Sequence, residues 1–511
     1  MRTRTRAAVR VRVACALAGT LGLWAAPARA VDAEVQSDTA AQFYDVRSPT
    51  GETVLGRRRV TSTLAVSGYD LIDRPLNDPR APQLLFRARL RYDADYGVDG
   101  AETDVTNFGR VVPGLNQAQT DLMYAYVEGR RFLGGWLGFK AGRQYVTDVL
   151  GWYSFDGAEL HVTTPYYLAI EGYGGLETRG GMPLSTSRFE SDGIWRGDRS
   201  NYDPSLYPSF QPSAVAPVVA AAVESTGVTW LHGRLTYRRV VNTGDSNTAE
   251  WAGGLYGPSK YSGSRISQEK IGYSVDASLA QIGSLRGGLI YDLYSNAFGT
   301  IYGNLDAFLG RGVTVGVDYQ YYQPTFDGDS IWNFFVSEPL NDIGGRASWA
   351  VNDHFALAAS GRGRIYTVQT GEDTTKTSPN NQVTLNPSYF PSTSHTYDGG
   401  GDLSARYRFG EGWLGARASG SFGGEGDRVG GDLSGERVFE GRYVVEGRLN
   451  LWQWQDKLRP DRDATSFGYV AGLGYRFAPR SQALFEMQQD TNRLVGSRFR
   501  AMLFLTLAVT K

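Results

Sequence analysis

The chain is poor in the residues that most chemistry requires. It has one cysteine and four histidines in 511 residues. A lone Cys15 excludes a disulfide scaffold and any thiolate metal cluster. His161, His232, His354 and His395 lie in no nucleophile or metal motif, so no enzyme activity, cofactor or metal site is expected. An excess of one charge is missing too. The 52 Lys and Arg against 53 Asp and Glu give a formal charge of −1, without the basic footprint of a nucleic-acid binder. Mean hydropathy is −0.33. No run of about eighteen apolar residues follows residue 30, which excludes a bundle of membrane helices.

What the chain has is 64 Gly, 30 Tyr, 23 Phe and 11 Trp. Twisted antiparallel sheets use such residues, and helical enzymes do not. Residues 1–30 have the layout of a secretory signal peptide. Five arginines (Arg2, Arg4, Arg6, Arg10, Arg12) precede an apolar run from Val13 to Ala26, and Ala28-Arg29-Ala30 supplies small residues for cleavage. Removal would take away six arginines, no acid and the only Cys, leaving −7 over 481 residues.

Beyond residue 30 the dominant period is two. Phe86, Ala88, Leu90, Tyr92, Ala94 and Tyr96 alternate with Arg87, Arg89, Arg91, Asp93 and Asp95. Val313, Val315, Val317, Tyr319 and Tyr321 make another apolar row, as do Leu403, Ala405, Tyr407 and Phe409. Successive side chains of a strand point to opposite faces, so each segment is apolar on one side and charged on the other. A soluble sandwich would bury one face and need linkers between domains, and the chain has none. Arginine-rich faces would be very costly in its core. A membrane barrel inverts the pattern, with apolar residues toward lipid, polar residues toward a lumen, and aromatics at the rims. Tyr92/Tyr96, Tyr319/Tyr321 and Trp452/Trp454 read as such rims.

The expected fold is therefore all-β: a single large transmembrane antiparallel β-barrel of about 20 strands (18–22). Residues 31–56 are expected as a short periplasmic N-terminal segment and 57–511 as the barrel. Long loops over 177–224, 243–265, 323–340 and 368–397 alternate with tight turns such as Gly310-Arg311-Gly312. The long loops are assigned to the outside, which leaves both termini periplasmic.

On this architecture the mature chain resembles a Gram-negative outer-membrane β-barrel of the porin type. Gly138-Phe-Lys-Ala-Gly-Arg-Gln-Tyr145 also resembles the strand that precedes the inward constriction loop of general porins. The resemblance implies that 146–156 occupies the pore, with Arg143, Asp148, Trp152, Tyr153 and Asp156 as the constriction set. The chain ends Val509-Thr510-Lys511, without the terminal aromatic usual in such barrels.

The polar faces define a candidate pore lining. Its basic members are Arg87, Arg89, Arg91, Arg234, Arg238, Lys270, Arg286, Arg362, Arg364, Arg406, Arg408, Arg417, Arg448, Arg476 and Arg500. Its acids are Asp93, Asp95, Asp276, Asp292, Asp306, Asp318, Asp402, Glu446 and Glu486. This surplus either attracts anions or pairs across strands and merely stabilises the wall. The function expected is an outer-membrane channel for small hydrophilic, anionic solutes. The alternative is a wide barrel for polysaccharide export, or a sheath for a partner protein in a secretion or electron-transfer conduit. Expected partners are outer-membrane lipid, small solutes or polysaccharide, and periplasmic or barrel partners, with no nucleic acid.

Overall fold

A computed structural model describes residues 32–72, 78, 80–95, 119–178, 215–243, 246–252, 255–261, 263–326, 339–369, 393–424, 426–457 and 460–510. The first strands are β1 (Asp32–Arg47), β2 (Thr53–Tyr69), β3 (Gln83–Asp95), β4 (Gln119–Arg131), β5 (Leu137–Asp148), β6 (Gly151–Thr163), β7 (Leu168–Glu177), β8 (Pro217–Ser225) and β9 (Leu231–Asn242). β10 (Ser246–Ala252) and β11 (Leu255–Tyr261) form a separate hairpin. The wall resumes with β12 (Arg265–Leu279), β13 (Gly283–Asp292), β14 (Ala297–Gly310), β15 (Val313–Tyr322), β16 (Leu340–Ala350), β17 (Phe355–Gln369) and β18 (Thr393–Phe409). It ends with β19 (Gly412–Phe422), β20 (Gly426–Phe439), β21 (Tyr443–Asp456), β22 (Ala464–Ala478), β23 (Ser481–Asn492) and β24 (Gly496–Thr510).

Every wall strand is antiparallel to its neighbours in one 22-stranded sheet. β1 pairs on one side with β2, from Asp32↔Tyr69 to Arg47↔Thr53, and on the other with β24, from Glu34↔Thr510 to Arg47↔Ser497. That double pairing closes the sheet and removes its edges, whose unpaired N–H and C=O groups lipid could not satisfy.

The two faces differ as the alternation requires. On one, large apolar side chains stand exposed: Leu160 is 54% accessible, Ile343 61%, Leu403 65% and Leu473 63%. A continuous band of this kind is untenable in water but is the required surface in hydrocarbon. Aromatic clusters flank the band. Tyr407 stacks with Phe409 and Tyr443 meets Tyr475 at a tilt near one rim, and Phe43 meets Phe499 edge-on near the other. The polar face is therefore the inner one. At the rim holding both chain ends most connections are tight. In Gly310-Arg311-Gly312 all three residues have positive φ, a conformation that suits the two glycines. The opposite rim carries the long connections, between β7 and β8, β9 and β12, β15 and β16, and β17 and β18.

Three expectations change. The segment 31–56 does not precede the barrel: 32–47 is β1, so the barrel begins before residue 57, and the count of 22 falls within the expected 18–22. Within the expected loop 177–224, Pro217–Ser225 is β8. β8 escapes an alternation test because both of its faces are apolar; Val219 and Val223 face lipid, while Val218, Ala220 and Ala222 are buried inside. Finally, Trp452 and Trp454 are not rim residues of the lipid face. They pair opposite Gly430 and Arg428, in phase with Arg448 and Asn450, and face inward. The remainder of 177–224, from 179 to 214, lies outside the described residues, as does 370–392 of the expected loop 368–397.

Candidate pore lining

The strand register places Arg87, Arg89, Arg91, Asp93, Arg234, Arg238, Arg286, Asp318, Arg362, Arg364, Arg406, Arg408, Arg417 and Arg448 on the inner face. Many of them meet acids one or two strands away. Arg59 donates to Asp93 at 2.8 Å, and Arg89 to Asp38 at 3.0 Å. Arg234 bridges Glu171 at 2.6 Å and Glu224 at 2.8 Å. Arg286 pairs with Asp276 and Arg417 with Asp402, each at 2.5 Å. Asp342 takes Arg364 at 3.1 Å and Arg362 at 3.8 Å.

Glycine explains how such pairs lie flat on the wall. Arg346 reaches Asp306 at 2.8 Å and Asp318 at 2.9 Å, its guanidinium lying over Gly316 and the Asp318 carboxylate over Gly344. A Cβ on Gly316 would stand 2.9 Å from its Nε, and one on Gly344 would stand 2.6 Å from Asp318 Oδ2. Several of these acids (Asp38, Glu171, Glu224, Asp342) are absent from the lining read off the sequence, because their strands alternate less regularly. The basic surplus is correspondingly smaller. Among the described residues Arg406, Arg408 and Arg448 enter no ion pair; Arg406 instead lies over the Trp413 ring at 4.3 Å. Arg87 sits 5.8 Å from the Tyr69 ring, and its Nε has no hydrogen-bond partner.

The other feature of the inner face is the tip of the β5–β6 hairpin. β5 pairs with β4 only from Ala125↔Arg143 to Gly129↔Phe139, whereas it pairs with β6 along its whole length, to Asp148↔Gly151. The tip therefore leaves the wall. It does so at Gly142, whose φ of +126° and lack of a Cβ allow the bend; a Cβ there would stand 2.3 Å from the Ala125 carbonyl oxygen. At the far end Val149 and Leu150 lie against Gly272 of β12, where a Cβ would be 2.5 and 2.7 Å from them. Arg238 of β9 donates to the Leu150 carbonyl at 3.2 Å and to Gln268 at 3.0 Å, with its guanidinium 4.4 Å from the Tyr153 ring.

The docked side of the tip is apolar. Val146, Tyr153 and Phe155 pack with Tyr173, Val218, Ala220 and Val240 into a buried cluster, and Phe155 stacks on Tyr173 at 4.8 Å. Water in the lumen makes this burial favourable, whereas apolar burial against lipid gives no comparable drive. The open side is polar and aromatic. Arg143 binds Asp156 through two hydrogen bonds of 2.7 and 2.8 Å, and Tyr145 stacks with Trp152 at 6.2 Å. Thus Arg143, Trp152 and Asp156 share the open side, while Asp148 and Tyr153 belong to the docked one.

Among the described residues no three His, Cys, Asp or Glu side chains converge as a metal site. No family model matches the sequence, and no curated protein matches it. Solved structures do align with the fold. The chain is similar to OccAB4 from Acinetobacter baumannii at 9% identity and a TM-score of 0.43, covering 95% of this chain and 99% of that one. OpdQ from Pseudomonas aeruginosa aligns at 8% identity and 0.41, covering 94% and 100%. A BenF-like porin from Pseudomonas fluorescens aligns at 8% and 0.39, covering 94% and 99%.

Proposed function

We propose that the chain forms a water-filled channel in the outer membrane of a Gram-negative bacterium, passing small hydrophilic solutes with a modest preference for anions. The observation that carries the reading is the closed 22-stranded wall, apolar outside and charged inside. A barrel of that strand number encloses more space than its own side chains can fill. The long connections gathered at the rim opposite both chain ends support both termini being periplasmic.

The docked β5–β6 tip would narrow the lumen, with Arg143, Trp152 and Asp156 at the constriction. Anion preference is modest because paired guanidinium groups are largely neutralised by their carboxylates. Arg406, Arg408 and Arg448 supply the remaining field. Export of a wide polymer, or sheathing of a partner protein, would require the tip to undock first, which favours the passive channel.

Reconstitution into planar bilayers tests this directly. A steady conductance is expected, with a reversal potential in a KCl gradient that reports chloride over potassium. Cation preference would overturn the anion reading, and the absence of any conductance would overturn the channel.

A further inference from the structure

The inner wall holds an aromatic feature beside the charge ladders. Near the rim of long connections, β20 to β24 line an open cavity of about 850 Å³. Its aromatic surface comes from Trp452 and Trp454, two residues apart and on the same face of β21. Trp452 does not stand out into the lumen. A Cβ on Gly430 would be 2.7 Å from two of its indole carbons, so the ring lies against the bare backbone of β20. The Arg428 guanidinium is 4.1 Å from the ring centroid.

Polar groups gather beside this platform. The side chains of Asn450 and Asp490 converge over Gly468, where a Cβ would meet Asp490 Oδ1 at 2.3 Å and Asn450 Nδ2 at 2.8 Å. Asp490 is gripped by Arg498 at 2.7 and 3.0 Å and accepts from Gln488 at 2.8 Å. Two glycines thus create the shape: one seats an indole against β20, and the other lets an amide and a carboxylate lean together.

The chemistry selects a ligand class. A flat aromatic surface takes the C–H face of a ring, and a mixed set of amide and carboxylate groups takes groups that both donate and accept hydrogen bonds. Hydroxyls do both, and the carboxylate beside the platform, Asp490, is already held by Arg498. We propose that this cavity is a saccharide-binding subsite, in which Trp452 and Trp454 form the apolar side against a pyranose ring while Asn450, Gln488 and Asp490 hold its hydroxyls. Its role in passage rests on the channel reading; binding itself does not.

The test uses the full-length protein in two assays, with maltohexaose, cellohexaose and sodium benzoate as probes. In planar bilayers a neutral hexasaccharide should interrupt the open current in a concentration-dependent way. In detergent solution the same sugar should give a saturable heat of binding. Trp452→Ala should weaken both by about fivefold or more, as loss of one stacking contact implies. Trp452→Phe, which keeps a smaller ring at the same place, should lose less than Trp452→Ala, and an unchanged circular dichroism spectrum of both variants shows that the barrel is intact. Conductance without sugar block or binding heat would overturn the subsite and leave the channel standing. Binding by benzoate but by neither sugar would also overturn it. If no conductance is seen, the channel fails, and the calorimetric titration alone decides the subsite: saturable heat supports it and silence refutes it.

Discussion

Replacing Phe155 by Ala separates the tip of the β5–β6 hairpin from the wall that carries it. Phe155 is fully buried, 4.8 Å from Tyr173 and 6.3 Å from Tyr153 by ring centroid. Truncating a buried Phe to Ala costs about 3–5 kcal/mol, through lost transfer energy and the cavity left behind. Such a loss shifts a local equilibrium by roughly two to three and a half orders of magnitude. It should fall on the docked tip, because the roots of the hairpin stay in the sheet through the β4–β5 and β6–β7 pairings. The expected result in single-channel recording is a larger mean conductance, or flicker between two levels, with the midpoint of global urea unfolding nearly unchanged. A trace indistinguishable from wild type, in level and in noise, would refute the idea that the docked tip restricts the lumen.

Three further outcomes test the wall. Leu433→Arg and Ser434→Arg place the same charge at adjacent positions on opposite faces of β20; the first should cost about 2–4 kcal/mol in a lipid refolding titration and the second little, and equal costs would reverse the assignment of inside and outside. Arg234→Ala leaves Glu171 and Glu224 without their shared cation in a part-buried site, and should lower stability by about 2–4 kcal/mol in urea unfolding. In Gly175→Val the new Cβ would meet the Asp156 carbonyl oxygen at 2.3 Å and Gly157 Cα at 2.7 Å, so the yield of refolded barrel should fall sharply, whereas Gly303→Val, with open space around its Cα, should refold normally.

Much of this protein is written locally. Alternation with period two separates Leu403, Ala405 and Tyr407 from Ser404, Arg406 and Arg408 without reference to any other strand, because adjacent side chains of a strand must diverge. Turn chemistry is equally local, as at Gly310-Arg311-Gly312. Trp452 and Trp454 also have a local signal, since they share parity with Arg448 and Asn450; aromatic character alone points to the wrong face.

Closure is a tertiary property. The outward row of β1 (Ala33, Val35, Ser37, Thr39, Ala41, Phe43) is too weakly apolar to announce a strand, and its place is set by pairing with β24, distant in sequence, whose Leu503, Leu507 and Val509 supply the lipid surface beside it. The balance of charge in the lumen is tertiary too, because whether an arginine presents its charge depends on which carboxylate the register brings opposite. β8 shows the same dependence most directly. Its doubly apolar sequence makes sense only once the β5–β6 tip has folded inward over Val218 and Ala220. Composition and alternation determine a two-faced wall; the register, the closure and one inward bend at Gly142 decide what its lumen presents.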